Sequence, residues 1–132
     1  MMPEEAISAV LETIEQLRDN VFPVEAIKNA TAPFVFYLSH NDDDSEDLNG
    51  CTGLCSGLFE VNVVAQTYAQ LLQLTQDVKA ALRSMQGATF GDLLVERASV
   101  RMASPELKER EVHLYRRMLE LRLNYQYEEV TK

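Results

Sequence analysis

The feature that most constrains this chain is its last long run, VHLYRRMLELRLNYQY, residues 112–127. His113, Tyr115, Leu119, Leu121, Leu123, Tyr125 and Tyr127 fall on one side of a two-residue period, with Arg117 among them. Arg116, Glu120, Arg122, Asn124 and Gln126 fall on the other. A period of two is that of a strand with one face buried and one face wet. One such strand cannot cover its own apolar face, so the rest of the chain must supply further strands and a covering layer.

Two more stretches have the same character. FVFYLSH, residues 34–40, is aromatic and β-branched and follows Pro33; GLFEVNVVAQ, residues 57–66, alternates with Phe59, Val61, Val63 and Ala65 on one side. Residues 93–102, LLVERASVRM, read as a further strand, ended by Ser104-Pro105. Two segments carry helical spacing instead. Residues 3–19 place Ile7, Val10, Leu11, Ile14 and Leu17 on one stripe, with Pro3 at the first helical position, Glu4 and Glu5 at the positive end and Asn20 as a stop. From Thr67, Leu71, Leu74, Val78, Leu82 and Met85 form a second stripe. Thr67 and Gln70 make its capping box and Gly87 its left-handed end. Residues 21–33, with two prolines and no firm period, read as a connector with a helical turn near 24–30.

The expected fold is therefore α+β, in the order α-β-β-α-β-β. Four strands form a single antiparallel sheet (a mixed one also fits), with two main helices packed on one face. The expected core is Leu11, Ile14, Phe36, Val61, Val63, Leu71, Val78, Leu82, Leu119 and Leu121. At 132 residues this is one domain, 1–132, with an acidic mobile loop at about 41–56.

That loop dominates the charge. Asp42, Asp43, Asp44, Glu46 and Asp47 supply five of the carboxylates in a chain of net charge −9, and without them the balance is −4. An acidic domain repels phosphate backbones. No apolar run approaches the ~18 residues of a membrane span. The acidic start, without a basic segment or apolar core, predicts a cytoplasmic protein with Cys51 and Cys55 reduced.

The loop invites three chemical readings. A calcium loop starting at Asp42 would use Asp44 and Glu46, but its sixth position is Asp47 where glycine is needed, and its twelfth is Gly53 where a glutamate is needed. Zinc could take His40, Cys51 and Cys55, yet C-x-x-x-C with one distant histidine lacks the four ligands and paired C-x-x-C spacing of structural sites. Nor is the pair the C-x-x-C of a thiol oxidoreductase. No nucleophile elbow, phosphate loop or H-E-x-x-H helix occurs, and His113 fits strand alternation better than general-base work. No enzymatic activity and no cofactor are expected.

The order of the elements resembles the tail completion proteins of long-tailed bacteriophages, the tail-to-head joining or tail terminator family. The resemblance rests on Val21-Phe22-Pro23 after the first helix and Ala32-Pro33-Phe34-Val35-Phe36-Tyr37 as first strand. Ala65-Gln66-Thr67-Tyr68 before the second helix, Val78-Lys79-Ala80-Ala81-Leu82 within it and Leu114-Tyr115-Arg116 at the start of the last strand complete it. The chain departs from the family between Ser104 and Glu111, where an aromatic-acidic-proline step is missing, and in the length and acidity of the loop after His40. The resemblance implies a virion protein, assembled in the host cytoplasm and placed at the head–tail junction. It would form a ring with itself, commonly of six subunits, on the tail tube protein, and join the head's connector or stopper. DNA would pass through the lumen without specific binding. The candidate interface is the acidic Asp42, Asp43, Asp44, Glu46 and Asp47 together with Arg116 and Arg122, the basic residues of the last strand's polar face. The competing expectation is a small dimeric α+β binding domain regulated by calcium or zinc through residues 40–55.

Overall fold

The computed structural model describes residues 2–23, 31–40, 55–102, 107–109 and 114–127. Seven strands form one curled, mixed sheet: β1 (Val21–Pro23), β2 (Phe34–Ser39), β3 (Cys55–Ala65), β4 (Thr89–Phe90), β5 (Leu93–Met102), β6 (Leu107–Glu109) and β7 (Leu114–Tyr127). Two α-helices, α1 (Pro3–Leu11) and α2 (Tyr68–Arg83), complete the architecture. The strands lie side by side in the order β1-β2-β3-β7-β5-β4, with β6 paired to β7 in line with β5. The four expected strands are all present, but the four-stranded sheet is overturned. β1, β4 and β6 are added, and β1 pairs with β2 in parallel.

Each departure has a local cause. The connector expected at residues 21–33 begins as a strand because Val21, Phe22 and Pro23 align with Val35, Phe36 and Tyr37. The Asn20 carbonyl also accepts the Val35 N–H at 3.0 Å. Three residues carry no period to read, so β1 is invisible to pattern analysis, as is the two-residue β4. The helical turn suggested near 24–30 lies outside the described residues, as does the acidic loop up to residue 54.

The first helix is shorter than its stripe. Pro3 and the acidic Glu4 and Glu5 occupy the first turn, as the sequence implied, and the Glu5 carboxylate also accepts the Met2 N–H at 2.8 Å. The helix nevertheless stops at Leu11, and the Thr13 hydroxyl donates to the Val10 carbonyl at 2.7 Å, a side-chain bond that competes with the helical ladder. A single 3-10 turn, Glu15–Leu17, then keeps Leu17 fully buried. Asp19, not Asn20, takes the left-handed turn (φ 66°). The second helix opens where expected, but only half of the capping box forms: the Thr67 hydroxyl accepts the Gln70 N–H at 3.1 Å, while the Gln70 side-chain Oε1 accepts the N–H of Gln66, one residue before the cap, at 2.9 Å. Gly87 is left-handed (φ 82°), but its N–H donates to the Val95 carbonyl at 2.7 Å, so it closes the connection into β5 and not the helix itself.

The core lies between the helices and one face of the sheet. Ile7, Leu11 and Leu17 meet Leu71, Leu74, Val78, Leu82 and Met85, and both sets cover Val35, Val61, Val63, Val95, Leu119, Leu121 and Leu123, all fully buried. Of the expected core, Ile14 is only partly buried. Phe36 is on the wrong side: Val35 and Tyr37 point to the helices, while Phe36 joins Phe22, Phe34, Val64, Ala32 and Leu114 in a smaller cluster on the opposite face. Residues 34–37 are apolar at every position, so alternation could not choose their face.

One irregularity in β5 matters below. Val95 stands opposite Tyr125 and Arg97 opposite Asn124, so Glu96 is an extra residue, a β-bulge. It lets Val95 and Ala98, three apart, both face the core.

Candidate interface on the helix-free sheet face

Among the described residues no helix packs on the second face of the sheet, and its chemistry is read directly from the strand register. β7 lies between β3 and β5, so its polar residues have a neighbour on each side. Arg116 stands beside Val64, Met118 beside Asn62, Glu120 between Glu60 and Arg101, Arg122 between Leu58 and Ser99, and Asn124 between Ser56 and Arg97. The face thus runs from an aromatic end, with Phe22 edge-on to Phe34 and Phe36 tilted against Phe34, each pair at 6.3 Å, to a charged end.

Between the two ends sits Glu60. Burial pushes its carboxyl up, but hydrogen bonds from Asn62 and His40 and the charges of His40 and Arg116 outweigh this and hold it below the ordinary 4.5. Asn62 Nδ2 donates to Glu60 Oε2 and His40 Nε2 lies on Glu60 Oε1, both at 2.9 Å. Asn62 is itself fully buried although it belongs to this face. Glu60 and Glu120 are direct cross-strand neighbours, a repulsive pair unless each has its own cation. Arg101 serves Glu120, with Nε to Oε1 at 2.7 Å. At the charged end, Gln126 Nε2 donates to Glu96 Oε2 at 2.6 Å.

The interface residues expected from the sequence separate into three groups. Asp42, Asp43, Asp44, Glu46 and Asp47 lie outside the described residues. Arg116 and Arg122 do share one face of β7, yet six residues of extended chain place them roughly 20 Å apart. Arg116 is half-buried beside the aromatic cluster and Glu60, whereas Arg122 is exposed among Ser99, Arg97 and Arg101. They are members of two different sites. Arg97, Ser99 and Arg101 were missed by sequence reasoning, although Arg-x-Ser-x-Arg at every second position of a strand is a one-face signal.

The expectation of reduced cysteines is overturned at Cys55. It is buried at the start of β3, opposite Tyr125, and is disulfide-bonded. Among the described residues no three His, Cys, Asp or Glu side chains converge as metal ligands, and no helix is long and apolar enough to cross a membrane.

No family model matches the chain, and no curated protein matches it. Among solved structures, a chain of the virion of a native gene transfer agent particle is 16% identical, with 90% of this chain and 83% of that chain covered and a TM-score of 0.46. A second solved chain is 15% identical over the whole of both chains, with a TM-score of 0.44. Both are distant likenesses.

Proposed function

We propose that this chain is a structural virion protein that closes the head-proximal end of a phage tail tube as a ring and joins it to the head connector. The observation that carries the reading is where the family-like motifs meet. Val21-Phe22-Pro23, Pro33 to Tyr37, Ala65 to Tyr68 and Leu114-Tyr115-Arg116 are scattered over 96 positions, from 21 to 116. They gather at one end of the sheet. Phe22 pairs with Phe36, Phe34 with Val64, Val64 with Arg116 and Ala65 with Tyr115. The Tyr68 and Tyr115 rings lie 5.9 Å apart, and Gln66 Nε2 donates to the Ala32 carbonyl at 3.2 Å. Four of the five motifs, all but Val78 to Leu82 within α2, thus form a single packed unit, and that supports the family reading.

The role needs no catalysis and no cofactor. It needs a rigid subunit with surfaces for copies of itself, the tube and the connector, and a sheet that among the described residues is covered by helices on one side only fits that need. Regulation by zinc through residues 40–55 finds no support, because the Cys55 sulfur in a disulfide is not a thiolate ligand.

The test is tail morphology in a phage or prophage deleted for this protein. Electron microscopy is expected to show tails of uncontrolled length and heads without tails, both repaired by the wild-type chain. Tails of normal length joined to heads in its complete absence would falsify the terminator role.

A further inference from the structure

We propose that Arg97, Arg101 and Arg122 form a receiving surface for carboxylates, and that its occupant is the acidic segment Asp42 to Asp47 of a second copy of this chain.

The three arginines belong to two adjacent strands. Arg122 stands directly opposite Ser99, and Arg97 and Arg101 are two residues to either side of that serine. Arg122 is therefore diagonal to both, at roughly 7–8 Å. All three arginines and Ser99 are exposed. The small serine leaves a groove of about 270 Å³, lined by Ser99, Val100, Arg101, Glu120 and Arg122.

Local pairing leaves positive charge over. Arg101 is held by Glu120, and the Glu96 carboxylate is engaged by Gln126. Among the described residues the Arg97 and Arg122 side chains have no hydrogen bond and no ion pair. Like charges gathered on rigid strands oppose folding unless an anion joins them. A guanidinium presents a planar fork that matches a carboxylate through two parallel hydrogen bonds.

The patch is also reachable. β5 pairs with β7 on one side; on the other, β4 covers only Leu93 and Leu94. Gly87 and Ala88 bond the backbone of Val95, and Gln86 Oε1 accepts the Ala98 N–H. From Ser99 onward no described residue pairs with the outer edge of β5, so another molecule can approach along the rim of the sheet.

Charge decides the kind of occupant. Glu60, Glu96 and Glu120 share the face, so the long run of phosphates on a duplex would extend past the small positive centre onto like charge, whereas a short acidic segment ends within it. Neighbouring carboxylates on a short segment fit two adjacent guanidiniums. The chain itself contains such a segment, with five carboxylates in the six positions 42–47. A basic patch and an acidic segment at different places on one chain give a head-to-tail contact, which closes into a ring if the rotation is right. The inference takes its place in the virion from the ring proposed above, but the contact is tested without a virion.

Sedimentation velocity of the full chain is the measurement. The wild type is expected to self-associate at low salt and to dissociate as salt rises. Arg97→Gln with Arg122→Gln, and separately Asp42→Asn with Asp43→Asn and Asp44→Asn, should each weaken association about tenfold or more while circular dichroism and melting stay unchanged. Mixed one to one, the two variants retain one good surface each and should form heterodimers and nothing larger. Three results overturn the proposal: a wild type that stays monomeric at low salt, an arginine variant that assembles like the wild type, or variants that assemble normally and lose affinity for duplex DNA instead. None of these touches the tail-length assay, so failure here and failure of the terminator role are separate outcomes.

Discussion

The two faces of this sheet are built from the same strands and obey different chemistry. On the face toward the helices, β7 contributes Leu119, Leu121 and Leu123, all fully buried against α1 and α2. On the opposite face the residues between them, Glu120 and Arg122, meet Glu60, Arg101 and Ser99. Burial of the first face is nonspecific attraction that any partner of the right volume would satisfy. The second face is a pattern of named pairs, His40 with Glu60 and Arg101 with Glu120, with Arg97 and Arg122 left over. The covered face holds the fold; the open face has the variety of charge from which specificity is made. The boundary between them is not perfectly sharp, since Asn62 on the open face is fully buried and Arg117 on the covered face is 8% exposed.

Substitutions in β7, β2 and β3 test that division. The largest effect is expected at Leu121→Ala, a cost of about 2–5 kcal/mol in chemical denaturation, as for other leucines truncated in a core. An effect near zero would mean that the helices do not hold that face. Next comes Phe36→Ala in the smaller aromatic cluster. Because that side chain is only half-buried, about 2–3 kcal/mol is expected, below the 3–5 kcal/mol of a fully enclosed ring. A cost equal to that of Leu121→Ala would show that the open face carries a second full core.

Asn62→Ala should follow at roughly 1.5–2 kcal/mol, from the loss of a hydrogen bond to a charged group. It carries a pH signature. The carboxyl of Glu60 is held below its ordinary 4.5, so its contribution is fully present above that value and is lost as pH falls through the lowered folded value. Without the Asn62 amide the folded value rises toward the ordinary one, and the acid limb of stability against pH becomes shallower. An acid limb of unchanged slope would leave Asn62 no part in holding the charge. The smallest effect belongs to Arg122→Ala, expected within about 0.5 kcal/mol of the wild type in stability, as for an exposed side chain without a partner. A loss above that would mean Arg122 serves the fold, and its place in a receiving surface would have to be given up.

Much of this division could be read before any coordinates. Phe59, Val61, Val63 and Ala65, the stripe from Leu71 to Met85 and, in the last strand, Arg117, Leu119, Leu121 and Leu123 name buried faces correctly; Tyr115 and Tyr125 at the ends of that strand are only partly buried, Tyr127 is exposed, and His113 lies outside the described residues. Arg116 and Arg122 were also rightly placed on one strand face. What pattern could not give was their separation into two neighbourhoods. Arg122 acquires Arg97 and Arg101 only because β5 lies next to β7, and Arg116 acquires Glu60 only because β3 lies on the other side. The same limit explains Phe36: a strand apolar at four successive positions gives no periodicity, and its face is set by what β1 and β3 present to it.

The sequence by itself determined which residues alternate, where the two helices begin, and that one face of each long strand must be covered. These are consequences of local geometry, since a side chain's direction repeats every two residues in a strand and every 3.6 in a helix. The tertiary structure decided how many strands there are, that β1 joins in parallel, that the bulge at Glu96 turns Ala98 inward, and which arginines become neighbours. Those outcomes depend on pairing between segments far apart in the chain. Two- and three-residue strands have no period of their own, and a hydrogen-bonded edge accepts many sequences. Register is fixed only when the faces on both sides find their cover together.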